Sequence, residues 1–287
     1  MTFSIVARSA DGRAHGVAVA SKFLAVGAAV PAAEAEVGAL ATQSYANLAY
    51  RPQGLTLLRT GVPAAGVVAG LVAADDGRAQ RQVGVVGPDG DGATHTGDGC
   101  HPWAGGAAGD GYAIQGNILA GPEVVDAMRD AWRAAAGDAP LAPRLLAALR
   151  AGDRAGGDRR GRQSAALLVV AKGMGYGGTS DVVVDLRVDD HPDPVTELGR
   201  LLDIHTLLFG RPDPATLLDL AGEVAAEVGR RLAVAGHPVA GHPVSGPDTT
   251  ALDAALASWA GVENLEERLV PGRIDPLVLA HLRTATG

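Results

Sequence analysis

The chain opens on two short apolar runs, Thr2–Arg8 and residues 15–21, separated by Ser9-Ala10-Asp11-Gly12. Asp-Gly tolerates the positive φ angles of tight turns, so this pattern predicts a β-hairpin. Two more short runs, 25–30 and 37–44, predict strands around a break at Pro31. The period then becomes helical over 51–59 and 63–74, where Leu55 and Leu58, then Val67, Val68 and Leu71, supply an apolar face. Residues 82–86 and 92–95 flank Pro88-Asp89-Gly90 as a second hairpin, and a glycine-rich loop over 96–109 leads to a strand at 112–115. Helices are predicted over 124–136 and 142–149, and a buried strand pair over 164–170 and 181–188. Runs of strands around pairs of helices point to an α+β chain of antiparallel sheets layered with helices, not to alternating βαβ units.

From His191 the texture changes. His191-Pro192-Asp193-Pro194 and Arg211-Pro212-Asp213-Pro214 bracket a helix predicted over 195–209. Beyond them lie a helix over 216–233, the direct repeat AGHPVAGHPV at 235–244 and a helical region from Thr249. The reading divides the chain into a domain over 1–211 and a small helical one over 212–287. Trp259, Val262, Leu265, Leu269, Ile274, Leu277 and Leu279 are the expected core of the second. His237 and His242 in the repeat could hold a metal, but no acidic or sulfur partner sits beside them, so the repeat reads as an exposed loop.

Composition narrows the picture. Apolar residues make up 47% and aromatics 3%, so the core must be built from Val, Leu, Ala and Ile. The 40 glycines suit a turn-rich chain rather than a helical bundle. A net charge of −8 without a basic stripe argues against nucleic acid as partner. No apolar run is long enough to span a membrane, and the first residues lack the marks of a signal peptide. The single Cys100 fits a reducing compartment. A cytoplasmic location is therefore expected.

The chemistry to weigh lies at the start. Removal of Met1 would leave Thr2 with a free α-amino group beside its own hydroxyl, and a terminal amine can act as the base that activates such a nucleophile. Ser21 and Lys22 end the neighbouring strand, where the lysine charge could lower the amine's pKa. From the residues alone the plainer reading is favoured, with Thr2 an ordinary second residue and Lys22 a solvated strand end.

TFSIVARSADGRAHGVAVASK resembles the first hairpin of the N-terminal-nucleophile (Ntn) hydrolases, such as proteasome β-subunits and plant-type asparaginases. The stretch from Thr2 to about Val188 is similar to a bacterial and archaeal family of Ntn-hydrolase-like proteins, through VAVASKFLAVGAAVP, ATQSYAN, GYAIQGNIL and GDRRGRQSAALLV. The tail ALASWAGVENLEERLVPGRIDPLVLAHLR is similar to a peptidoglycan-binding domain that some members carry. The resemblance implies a four-layer αββα sandwich. It implies no substrate.

Each motif has two readings. Gln115-Gly116-Asn117 ends a strand with two amides; Asn117 could hold an oxyanion and Gln115 contact a substrate, or Asn117 could cap the next helix. Ser44 and Asn47, in Thr42–Asn47, suit either a cleft wall or turn chemistry. Arg159 and Arg162 could fork onto a substrate carboxylate, while Asp158 reads as a loop-fixing group. His95, Asp98, Cys100 and His101 lack the spacing of a structural zinc site, so no metal and no cofactor are expected.

Two functions remain. The first is an amidohydrolase, with Thr2, Ser21, Lys22 and Asn117 as catalytic candidates and Ser44, Asn47, Gln115, Arg159 and Arg162 as substrate contacts. The second is a non-catalytic Ntn-fold scaffold or binding protein. The expected partners are a small or peptide-like amide, with peptidoglycan fragments a conjecture, and a homo-oligomer is compatible with either function.

Overall fold

The computed structural model describes residues 2–239 and 249–287. Strands β1 (Thr2–Arg8) and β2 (Ala14–Ser21) form the opening hairpin, with Phe3 opposite Ala20 and Arg8 opposite His15. The run expected as the next strand is instead a short helix, α1 (Val26–Ala29). A short apolar run fits either element by periodicity alone, and its alanines favour the helix. Ala25 enters α1 in the left-handed region at φ 52°, and Pro31 begins β3 (Pro31–Glu34) rather than breaking the chain. Then come β4 (Gly38–Gln43), α2 (Tyr50–Arg59), α3 (Ala64–Ala73), β5 (Gln82–Val86) and β6 (Gly92–Thr96). The segment expected as a glycine-rich loop contains β7 (Gly105–Gly109), which pairs with β8 (Tyr112–Asn117). Helices α4 (Glu123–Ala134) and α5 (Leu141–Arg154) precede β9 (Ser164–Ala171), β10 (Val182–Val188) and α6 (Pro194–Phe209).

Contacts divide the chain into two units, Met1–Leu202 and Asp203–Gly287. The first holds a six-stranded sheet, in the order β10-β9-β2-β1-β8-β7, and a four-stranded sheet, β3-β4-β5-β6. Their ladders are antiparallel. Side chains alternate between the faces of a strand, and this sorts the core into three layers. Phe3, Ile5, Ile114 and Leu167 pack with Met128, Leu145 and Leu149 of α4 and α5. On the other face, Val6, Val17, Val19 and Ala113 meet Ala39, Ala41 and Val86 of the smaller sheet. Leu40, Val83 and Val85 meet Leu58, Val67 and Leu71 of α2 and α3 on that sheet's outer side. The layers therefore run helix pair, sheet, sheet, helix pair. The scarcity of aromatics is felt between the sheets, where Val and Ala fill the space.

His15 lies on the inter-sheet face and is 1% exposed, and neither ring nitrogen has a well-formed hydrogen bond among the described residues. Burial, reinforced by the Arg8 charge, pushes its pKa down to about 4; the nearby Gly87 backbone only partly offsets this. The folded protein thus binds this proton later than the unfolded chain does. The stability at stake is complete above the ordinary histidine value of 6.5 and is lost as pH falls towards 4. It amounts to about 3 kcal/mol. Urea unfolding at pH 7.5, 5.5 and 4.5 should show His15→Leu losing less stability on acidification than the parent. Parallel losses in the two proteins would overturn this.

The second unit contains β11 (Leu218–Asp219), α7 (Gly222–Val234), α8 (Thr250–Glu263), β12 (Arg273–Ile274) and α9 (Pro276–Ala285). The helix expected from residue 216 begins only at Gly222, because Leu218 and Asp219 pair with Ile274 and Arg273. Trp259, Leu265, Ile274 and Leu279 are buried in its core, and Leu269 packs against it. Val262 and Leu277 are instead exposed, because α8 buries the Leu252, Leu256 and Trp259 stripe and α9 the Val278, Leu279 and Leu282 one. The second copy of the repeat, with His242, lies outside the described residues; His237 Nδ1 is 2.9 Å from Ser258 Oγ. Among the described residues no helix is long and apolar enough to cross a membrane.

Candidate active site

The alternation that puts Val6 between the sheets also puts Ser4 and Thr2 there. By the same rule Ser21 shares the face of Val17 and Val19, and Gln115 and Asn117 share that of Ala113. The inter-sheet layer therefore changes from apolar to polar towards the Thr2 end of the sandwich. Thr2 Oγ1 lies 3.1 Å from Ser21 Oγ, and either hydroxyl can donate. Thr2 is in register with Asn117, whose Nδ2 donates to the Thr2 carbonyl at 3.4 Å and to Gln82 Oε1 at 2.9 Å. Gln43 Nε2 also donates to the Thr2 carbonyl, at 3.2 Å, and to Gln82 Oε1, at 2.8 Å. Ser4 Oγ donates to Gln43 Oε1 at 2.7 Å and accepts from Gln115 Nε2 at 2.6 Å. Gln82 Nε2 reaches the Gly116 carbonyl at 2.7 Å and Thr96 Oγ1 at 2.8 Å.

Thr2 is 6% exposed and these four amides are at most 1% exposed. A buried amide without partners would cost about 1–3 kcal/mol, so the network is what permits polar groups here. Gly84 makes room for it. A Cβ at that position would stand 1.9 Å from Gln115 Oε1.

Residues 2–198 match a family model described as "Family of unknown function (DUF1028)". The chain belongs to this family. A crystal structure of protein SPO2555 from Silicibacter pomeroyi, itself assigned to DUF1028, is 30% identical with a TM-score of 0.64. The match covers 78% of this chain and 92% of that one. Anbu, an ancestral β-subunit from Yersinia bercovieri, is matched at 15% identity and a TM-score of 0.31, over 70% of this chain and 94% of its own. Residues 208–282 match a model described as "Putative peptidoglycan binding domain". No curated protein matches the chain.

Within the DUF1028 unit, the expected site residues divide into those in the network, those on its rim and those committed elsewhere. Gln115, expected to contact substrate, is fully buried, and its Nε2 donates to Ser4 Oγ. Asn47 is also committed. Its Nδ2 donates to Asp75 Oδ2 at 3.0 Å and its Oδ1 accepts from the Ala49 amide at 3.1 Å. Arg81, then Asn47, hold the Asp75 carboxyl well below the usual carboxylate range. Burial, helped by Asp75, pushes the Tyr50 hydroxyl up to about 12. Ser44 is half-buried beside this cluster at φ 61°, followed by exposed Tyr45 at φ 49°.

Lys22 is exposed, and its Nζ donates to the Arg162 carbonyl at 3.2 Å. Asp158 fixes the adjoining loop, as its sequence setting indicates: it accepts from the Lys22 amide at 2.7 Å and the Arg160 amide at 2.8 Å. Arg162 Nε donates to Asp153 Oδ1 at 2.8 Å. Beside Ser21, a small pocket is lined in part by Phe3, Asp153, Asp158, Gly161 and Arg162. Cys100 Sγ contacts the Arg81 carbonyl, His95 the Arg78 carbonyl and His101 the Tyr45 hydroxyl, so these groups do not share one partner.

Sequence reasoning missed Gln82. Its signal is an amide at the head of the apolar run QVGVV, on the same face as Gly84 and Val86.

Proposed function

We propose that the DUF1028 unit is an N-terminal-nucleophile amide hydrolase of the cytoplasm whose nucleophile is Thr2 after removal of Met1. The observation that carries this reading is the frame around Thr2: its hydroxyl is bonded to Ser21 and its carbonyl is held by Gln43 and Asn117. A nucleophile held this firmly loses little further entropy on the way to attack.

In the proposed reaction the free α-amine takes the Thr2 hydroxyl proton as Oγ1 bonds to the amide carbon. Asn117 Nδ2 exchanges its long bond to the Thr2 carbonyl for one to the developing oxyanion, while its shorter bond to Gln82 keeps it oriented. The amine returns the proton to the leaving nitrogen as the C–N bond breaks. Water then cleaves the ester, with the amine as base and Thr2 Oγ1 recovering its proton. Ser21 orients the hydroxyl, and Lys22 keeps the amine from holding its proton too tightly.

A second reading has its own support. The amides of the network satisfy one another, as they would in a scaffold that catalyses nothing and binds a glycan-related or peptide partner. Intact mass and labelling by an amide-directed electrophile separate the two: the hydrolase reading expects Met1 gone and one adduct on Thr2. A protein that keeps Met1 and takes no adduct is a scaffold.

Lys22→Ala should move the acidic limb of the pH–rate profile upward by about 0.5 pH unit, since without a neighbouring cation the amine stays protonated to higher pH. An unmoved limb would make Lys22 a loop-fixing residue, in keeping with its bond to the Arg162 carbonyl.

A further inference from the structure

Residues 157–163 form a loop fastened to the strand that carries Asn117. The Arg159 amide donates to the Ile118 carbonyl at 3.3 Å, and Asp158 bridges Leu119. Ile118 directly follows Asn117, the cross-strand partner of Thr2. Arg159 is thus anchored one residue beyond the position opposite the proposed nucleophile, and its long side chain starts within reach of a substrate acylating Thr2.

The three arginines of this loop are not equivalent. Arg162 is paired with Asp153 at 2.8 Å, and Arg160 with Asp158 at 3.6 Å and with the Lys22 carbonyl at 3.1 Å. Arg159 is exposed, and its guanidinium has no partner among the described residues. The carboxylates of Asp153 and Asp158 are committed to its neighbours. The loop is therefore tied at its backbone, next to the strand end that carries Asn117, and leaves one of its three guanidiniums unneutralised. A guanidinium in this setting matches a carboxylate through two parallel hydrogen bonds.

We propose that the site takes acyl groups bearing a free carboxylate, and that Arg159 is the residue that receives it. This rests on Thr2 being the nucleophile. It also resolves the two arginines that the sequence leaves equivalent, assigning substrate contact to Arg159 and loop structure to Arg162.

The test uses the full chain with a matched pair of probes, the p-nitrophenyl esters of 4-carboxybenzoic acid and 4-carbamoylbenzoic acid. These differ in charge but hardly in shape. In acylation, Thr2 Oγ1 bonds to the acyl carbon, the ester C–O bond breaks, p-nitrophenolate leaves and the hydroxyl proton passes to the α-amine. Acylation of Thr2, read by intact mass and by the mass of the N-terminal peptide, should be about tenfold or more faster with the carboxylate. Arg159→Gln should bring the ratio of the two rates close to 1, and Arg159→Lys should restore part of it. Arg154→Gln, which removes an exposed charge at the end of α5, should leave the ratio as it is. Equal rates in the parent protein, or a ratio that survives Arg159→Gln, overturn the proposal while leaving Thr2 as nucleophile. Absence of any Thr2 adduct with either ester overturns the nucleophile reading and this inference together.

Discussion

Replacing Thr2 with Ala is expected to lower amide turnover by roughly a thousandfold or more while leaving the fold intact. The two halves of this expectation have different causes. The hydroxyl is the attacking group, so its loss removes the covalent route entirely. Structurally, it removes a hydrogen bond to Ser21, worth about 1 kcal/mol, while the backbone carbonyl that receives Gln43 and Asn117 is untouched. Thermal unfolding should therefore move by a few degrees at most. Thr2→Ser provides the complement, because it keeps the hydroxyl and should retain much of the activity. Activity measured on protein that still carries Met1 would sink the mechanism, since the proposed base would then be an amide nitrogen. Full activity in the alanine variant would do the same.

The parts of this site that were legible in the sequence are those fixed by local rules. Asp11-Gly12 and the runs on either side of it specify the hairpin, and the hairpin brings Ser21 beside Thr2. Alternation within YAIQGN is equally local, and it puts Gln115 and Asn117 on one face. Alternation alone does not reveal the surface that packs across that face. Gln115 reads as a substrate contact until the second sheet is set against it, with Gly84 beneath its side chain. Gln82 is tied to its strand neighbour Gln43 and, across the sheets, to Asn117, a partner distant in sequence that the stacking brings to 2.9 Å.

The strand β7 failed for a related reason. GGAAG has none of the β-branched or aromatic residues that mark strands, and it is extended because the edge of β8 offers it hydrogen-bond partners. The same tertiary rule applies to α1, where Gly27 meets the Ala166 side chain so closely that a Cβ would come within 2.6 Å of it. Close packing there depends on a residue whose role is invisible in an apolar run. At the rim, Asn47 shows the limit of composition: an asparagine suits a ligand or a turn equally, and its bond to Asp75 is not visible in the sequence.

The second large effect concerns where the chain can be cut. A fragment ending at Arg211 is expected to keep the cooperative thermal transition of the sandwich, because its three core layers are assembled from residues before 203. The complementary fragment, 212–287, is expected to be poorly ordered, and the physical reason is specific. Leu207 and Leu208 pack against the core of the second unit, and Arg268, buried beside Asp275, donates to the carbonyls of Thr206 and Leu207. Cutting at 212 removes both leucines and strips a buried guanidinium of two acceptors, a loss of about 1.5–3 kcal/mol for each charged hydrogen bond. So small a helical unit has little stability to spare. A fragment over 203–287 restores those groups and should be far better ordered by circular dichroism and by the dispersion of its amide resonances. Equal order in 203–287 and 212–287 would show that the last two turns of α6 contribute nothing to the second unit. Loss of the cooperative transition in the fragment ending at Arg211 would argue that the sandwich depends on the C-terminal helical unit for its stability.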